Sequence, residues 1–457
     1  MKRSPPASRK KAPSASASKP LARPASKPAT QAGGKAAAKT AAKAPAKKLA
    51  KAPVKTPVKP AGKALIKAKT PPAPTKSTTK PSTKPRTKPV SKPTRQKAPA
   101  TPVGRPRINL ALQGGGSHGA FTWGVIDRLL DEDGLDFAGL SGTSAGALNG
   151  AVLLSGYVKG FKDGNESAAR KHAQKALHDF WRDVSQHGPL FSPLTIQSNG
   201  LIKNQFNFDQ FPAYQWLNLF MRSFSPYEFN PLNLNPLKDV LNRHVDVNAL
   251  HTGCQHCGIP LFVTATSVHT GQARVFTAEE LTLDALMASA CLPFVFQAVE
   301  IDGEPYWDGG YTGNPALYPL IYNTELSDIM LVRINPLRRD DNPTRSIDII
   351  DRLSEITFNA SLISEMRAIS FVKKLLKDEK LDPERYKNLH MHMVADDPGM
   401  LPYNASSKFN TDWAFLQELH HLGHKAASHW LTAHRGEVGR HSTFDIDAIF
   451  LAPGHKA

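Results

Sequence analysis

From residue 108 onward the chain is patterned for burial, and before it the chain is not. Residues 108–112 form a short apolar run closed by Gln113 and glycine, as expected of a strand buried on both faces of a parallel sheet. Gly114-Gly115-Gly116-Ser117-His118-Gly119 then leads into a helical period of apolar positions over about 120–130. A second apolar run, 137–141, meets Gly142-Thr143-Ser144-Ala145-Gly146 and another helix over about 147–155. The spacing also predicts an amphipathic helix over 168–184, a strand on which His390 and His392 alternate, and a helix that sets His420 and His424 one turn apart. Residues 1–107 show neither period. Lys-Pro, Ala-Lys and Lys-Thr-Pro units recur there, and proline interrupts any helix every few residues.

Charge divides the chain at the same point. Residues 1–107 hold 29 of the 58 Lys and Arg and none of the 39 Asp and Glu, a formal +29; the other 350 residues carry 29 − 39 = −10. The basic segment also has 20 of the 37 prolines and no Phe, Trp or Tyr. It cannot bury enough apolar surface to offset the entropy of ordering, so a disordered tail in extended and polyproline II conformations is expected. Its natural partners are polyanions: nucleic acid bound without sequence preference, or an anionic membrane or granule surface. A solubilising tail with no dedicated partner is the bland alternative. Three cysteines are too few for a disulfide scaffold and fit a reducing compartment. No apolar segment of a secretory signal follows the basic N-terminus, and no run approaches 18 apolar residues. The expected localisation is cytoplasmic, peripheral on an anionic membrane, nucleoid or granule surface.

The candidate chemistry lies where strands meet helices. A glycine-rich turn ahead of a helix offers backbone N–H groups at the positive end of the helix dipole. Gly114, Gly116 and Gly119 also fit the G-x-G-x-x-G spacing of a nucleotide turn, but Asp136 precedes the following strand, and no Gly-Lys-Ser/Thr phosphate loop occurs. Gly142-Thr143-Ser144-Ala145-Gly146 between strand and helix is a nucleophile elbow, with Gly142 and Gly146 small enough for the sharp turn that presents Ser144 Oγ. Downstream, Asp308-Gly309-Gly310 follows an apolar strand end and can hold a carboxylate at the sheet rim; plain hairpin chemistry is its alternative. Residues 191–237 contain ten aromatic side chains and few charges, which suggests a cap, a lid or a surface that meets lipid, against the alternative that the rings pack on the core. His251, Cys254, His256 and Cys257 in a loop, and the His420/His424 pair, are weak metal signals, and Cys291 reads as core. No metal and no cofactor are expected.

Taken together, Gly114-Gly115-Gly116, the Ser144 elbow and Asp308-Gly309-Gly310 resemble the patatin-like phospholipase family, and the resemblance extends over 108–335. It implies an α/β fold of three layers, α/β/α, around a central, mostly parallel sheet, with 336–457 completing the same domain. It further implies a serine acyl hydrolase that cleaves carboxylic esters of lipids with a Ser–Asp dyad: Ser144 attacks, Asp308 carries the proton, and Gly114, Gly115 and Gly116 form the oxyanion hole, chiefly through the amides of Gly115 and Gly116. The family usually has Arg or Lys two residues after the third glycine, where this chain has His118. A Ser–His–Asp triad is the mechanistic alternative, with His118 best placed and His244 and His269 flanking the strand before Asp308. The alternative function, from another class, is a polyanion- or granule-binding scaffold whose hydrolase domain is weakly active.

Overall fold

The computed structural model describes residues 105–162, 165–191, 206–209, 211–340 and 342–452. The expectation of a disordered tail over 1–107 falls, for residues 1–104, outside the described residues; its last three residues are described and do not fit it, since Arg107 opens β1 opposite Asp136 and Arg105 pairs with Glu166 (2.8 Å). Eight strands form one sheet: β1 (Arg107–Leu112), β2 (Asp136–Thr143), β3 (Leu261–Ser267), β4 (Ala273–Phe276), β5 (Val299–Ile301), β6 (Glu304–Asp308), β7 (Asp328–Val332) and β8 (His390–Val394). The order is β5-β6-β3-β2-β1-β7-β8, with β4 paired to β3 off this path. The β3-β2-β1-β7-β8 stretch is parallel, and β4, β5 and β6 join in antiparallel fashion.

Twelve helices of three or more turns or shorter α-turns connect the strands among the described residues: α1 (Gly119–Leu130), α2 (Ala145–Lys162), α3 (Glu166–Phe191), α4 (Pro212–Ser223), α5 (Pro226–Phe229), α6 (Pro236–His244), α7 (Val247–His256), α8 (Leu283–Ser289), α9 (Tyr318–Asn323), α10 (Ser346–Lys377), α11 (Asp397–Met400) and α12 (Trp413–His434). The segment expected as a loop around His251 is thus helix α7. The described part of 191–237 is helical in α4 and α5, where proline at each first turn supplies the preset φ.

Alternation along the strands builds three layers. Ile108, Leu110 and Leu112 of β1 and Met330 and Val332 of β7 join one core with α1, α2, α3 and α12. Ala111, Ile329 and Leu331 face the opposite core, with Leu320 of α9 and Leu362, Met366 and Ile369 of α10. The first layer needs α12 hard against α1, and glycine allows it: a Cβ on Gly423 would lie 2.0 Å from Phe121 O, and one on Gly124 would lie 1.9 Å from His420 O. Since backbone, not a flexible side chain, occupies that space, Gly423→Ala is expected to destabilise the protein by roughly 1–3 kcal/mol through forced separation of the two helices. Chemical denaturation should show a lower midpoint, and an unchanged midpoint would mean that the helices do not meet this closely.

Candidate active site

Strand register brings the site together. Leu112 pairs with Gly142, so the loop after β1 and the turn after β2 leave the same edge of the sheet. On the other side of β2, Thr143 pairs with Thr264, and the next residue of β3, Ala265, pairs with Asp308 at the end of β6. Ser144 and Asp308, far apart in the chain, are therefore one strand apart in space.

Ser144 is the residue between β2 and α2, with φ of 53°. That left-handed conformation costs a non-glycine residue roughly 1–3 kcal/mol and persists only where the surroundings impose it. Here Ser144 N donates to Ser289 Oγ (2.9 Å), Ser289 Oγ donates to Thr264 O (2.6 Å), and Leu148 N donates to Ser144 O as the first turn of α2 (3.0 Å). The turn presses on β1: a Cβ on Gly146 would lie 2.1 Å from Leu112 O, and one on Gly142 would lie 2.6 Å from Ala147 N. The dipole of the 18-residue α2 adds positive potential at its first turn.

The three-glycine loop divides its tasks. Gly114 N donates to Asn314 Oδ1 (2.7 Å) and Gly114 O accepts from Asn335 Nδ2 (3.0 Å), so its amide is engaged, and a Cβ on it would lie 2.7 Å from Ser144 Cβ. The amides of Gly115 and Gly116 donate to no described residue. Of the three glycines expected to form the oxyanion hole, these two keep a free donor. Gln113 holds the loop from behind, accepting from Ile334 N (2.9 Å) and Asn335 N (2.8 Å) and donating to Asn359 Oδ1 (3.1 Å).

Asp308 is fully buried. Its Oδ1 accepts from Gly310 N (2.7 Å), whereas Oδ2 has no completed hydrogen bond among the described residues. Burial pushes its pKa up to about 6; the Gly310 N–H, the neighbouring Ser144 hydroxyl and the Lys408 ammonium pull the other way. The Ser144 hydroxyl is therefore close enough to act on the carboxylate without making a bond of normal geometry to it. Gly309 and Gly310 permit the position: a Cβ on the first would lie 2.1 Å from Thr264 O and one on the second 2.1 Å from the Phe358 ring.

The histidines are engaged elsewhere. His118 Nε2 is 2.8 Å from Ser407 Oγ, and burial, helped by Lys408 and Arg339, holds its pKa well below the usual value, so it is neutral. His244 bonds to Asp183 (2.9 Å), His269 to Glu304 (2.8 Å), His392 to Asp328 (3.0 Å), His420 to Asp127 (3.0 Å) and His251 to Leu281 O (2.8 Å). Among the described residues no histidine bonds to Ser144 or Asp308, and no group of three His, Cys, Asp or Glu could hold a metal. Cys291 is buried, and its carbonyl accepts from Asp308 N (2.7 Å). Sequence reasoning missed Ser289, Asn314, Asn335 and Lys408. The first two lie inside the segments around Cys291 and Asp308, where a lone Ser or Asn reads as turn chemistry. The other two reach the site only because β7 lies beside β1 and the 405–409 turn packs on the glycine loop.

Residues 110–321 match the family described as patatin-like phospholipase. No curated protein sequence matches the chain. Among solved structures it is similar to VipD from Legionella pneumophila, at 14% identity and a TM-score of 0.32 over 72% of this chain and 67% of that one. It is also similar to the type III effector protein ExoU, at 15% identity and a TM-score of 0.23 over 69% and 54%.

The elbow's support can be tested directly. Ser289→Ala leaves the buried Ser144 N–H without its acceptor, which should cost about 1–3 kcal/mol in unfolding free energy. Reaction of the variant with a covalent serine reagent should slow as the turn relaxes, and wild-type stability and reactivity would show that Ser289 does not hold the turn.

Proposed function

We propose that this chain, whose residues 110–321 match the patatin-like phospholipase family, cleaves carboxylic esters of lipids with Ser144 as nucleophile and Asp308 as its base. One observation carries the assignment: a buried carboxylate oxygen without a completed hydrogen bond stands beside a hydroxyl on a strained elbow. Ser144 Oγ attacks the ester carbonyl and passes its proton to Asp308 Oδ2; the oxyanion accepts from Gly115 and Gly116 N–H. Asp308 then returns the proton to the leaving alcohol. Water repeats the sequence in reverse on the acyl-enzyme, giving up a proton to Asp308 and releasing the free acid with Ser144 restored.

The pH dependence follows from the charge Asp308 must carry. The base acts as a carboxylate, and burial raises its pKa to about 6. Turnover of a soluble ester should therefore rise with pH through about 6 and level off above it. Asp308→Asn and Ser144→Ala should each lower kcat by several orders of magnitude while the proteins stay folded. A variant of Asp308 that keeps wild-type turnover, beside a histidine variant that loses it, would replace the dyad by a triad.

Exposed apolar side chains lie on segments that lead away from this site: Leu232 is 78% exposed, Leu234 67% and Phe294 64%. The segment carrying Phe294 connects Asp308, through Cys291 O, to the 227–230 turn, where Gln297 Nε2 donates to Asn230 O (2.8 Å) and Ala298 N donates to Tyr227 Oη (3.2 Å). This favours contact of 206–237 with a lipid surface, while the +29 of residues 1–107 favours an anionic one or nucleic acid. Vesicle sedimentation separates the two terms. The 108–457 protein should bind vesicles in a way that salt does not weaken and that Leu232→Asp with Leu234→Asp abolishes. The full chain should add binding to anionic vesicles that falls steeply with salt. Equal, salt-insensitive binding by both proteins would leave the tail as a spacer. No helix among the described residues is long and apolar enough to cross a membrane.

A further inference from the structure

Lys408 lies outside the matched segment, on the 3-10 turn Ala405–Phe409, yet it meets the site at three points. Its backbone backs the oxyanion loop: a Cβ on Gly116, whose φ is 59°, would lie 2.5 Å from Lys408 O. Its Nζ donates to Asn335 Oδ1 (2.8 Å) and stands 5.9 Å from the centre of the Phe358 ring, the ring packed on Gly310. The neighbouring cations are paired with acids: Arg339 and Arg352 both bind Glu355 (2.7 and 3.1 Å). No described carboxylate lies within ion-pair distance of Lys408, although Glu355, Asp351 and Asp308 are near enough to favour its charged form against the burial that lowers its pKa.

The bond to Asn335 decides how that amide lies. With Oδ1 accepting from an ammonium, which can only donate, Nδ2 must be the end that meets Gly114 O, as observed at 3.0 Å. A trans peptide points its C=O and N–H in opposite directions, so holding the Gly114 carbonyl toward Asn335 turns the Gly115 N–H away from it. Resting on the acyl-hydrolase reading above, we propose that Lys408 is a positioning residue for ester cleavage, which through Asn335 aims the Gly115 amide at the oxyanion and keeps a positive charge, with no direct ion-pair partner among the described residues, behind the glycine loop. Its neighbour on the turn, Ser407, meanwhile binds the neutral His118, so the cation at this loop comes from a distant part of the chain rather than from the loop itself.

The test uses full-length protein and a short-chain p-nitrophenyl ester, an uncharged soluble substrate with no head group or membrane to confuse the result. Lys408→Met keeps most of the stem and removes the charge. It should lower kcat roughly 10- to 100-fold with KM within about twofold, because the interaction it supports strengthens only in the transition state. Fluorophosphonate labelling of Ser144 should slow in parallel. Asn335→Ala should fall comparably, and the double variant no further than the worse single one, since both act through one bond. Lys408→Arg should retain more turnover than Lys408→Gln, which keeps the comparison informative if the Met variant folds poorly. Wild-type kcat and labelling in Lys408→Met, losses that multiply independently in the double variant, or Gln outperforming Arg would each overturn the proposal while leaving an active, labelled wild type and the dyad reading intact. A wild type that neither turns over nor labels would instead defeat the acyl-hydrolase reading and this inference with it.

Discussion

A carboxylate kept fully buried, with one oxygen lacking a completed hydrogen bond, is the constraint on which this structure turns. Such a group is unfavourable unless its charged form is supported, and the support for Asp308 is spread over distant segments: the Gly310 amide, the Ser144 hydroxyl and the Lys408 ammonium. Each requires other parts of the fold to be in place. Gly310 must lack a side chain because Phe358 of α10 covers it. Ser144 must hold a left-handed backbone, which Ser289 and the glycines beside β1 impose. Lys408 must arrive from beyond β8. The sheet register Thr143–Thr264 and Ala265–Asp308 makes these demands compatible, since it fixes Ser144 and Asp308 one strand apart whatever the loops do.

Much of this was legible in the sequence, for reasons that are local. The buried run at 108–112, the turn at Ser144 and the Asp308-Gly309-Gly310 turn announce themselves because backbone sharpness demands glycine beside the reactive residue. The parallel sheet follows from strands joined through helices. What was not legible depends on sheet order. Asn335 follows β7, and β7 lies beside β1, so its amide meets Gly114; nothing near Asn335 in the chain records that neighbour. Lys408 is the same case at greater distance. The 251–257 segment was misread as a loop because its His and Cys spacing drew attention from its helical continuity into α7. The amide of Gly114 looked equivalent to those of Gly115 and Gly116, and only the Asn314 contact separates them.

Charge is partitioned along the chain as sharply as structure. The segment with +29 precedes a part with −10, so in the proposed function attraction to an anionic surface and chemistry at the elbow fall to different residues and should respond differently to salt. Long-range attraction fades as screening rises, whereas the buried charges around Asp308 are largely shielded from bulk ions. In the same proposal the exposed Leu232, Leu234 and Phe294 would supply a third, salt-insensitive term. In the proposed function, lipid reaches an uncharged apolar rim and the ester carbonyl enters a site whose cation is Lys408 and whose His118 is neutral.

The central claim, that Ser144 is made nucleophilic by Asp308 without a histidine, is tested most directly by mapping a fluorophosphonate adduct by peptide mass spectrometry and following its rate of formation against pH. The account predicts a single adduct on the peptide containing Ser144, with a rate governed by one ionisation near pH 6 that disappears in Asp308→Asn. An adduct on another serine, or a pH-dependent rate that survives in Asp308→Asn, would contradict it.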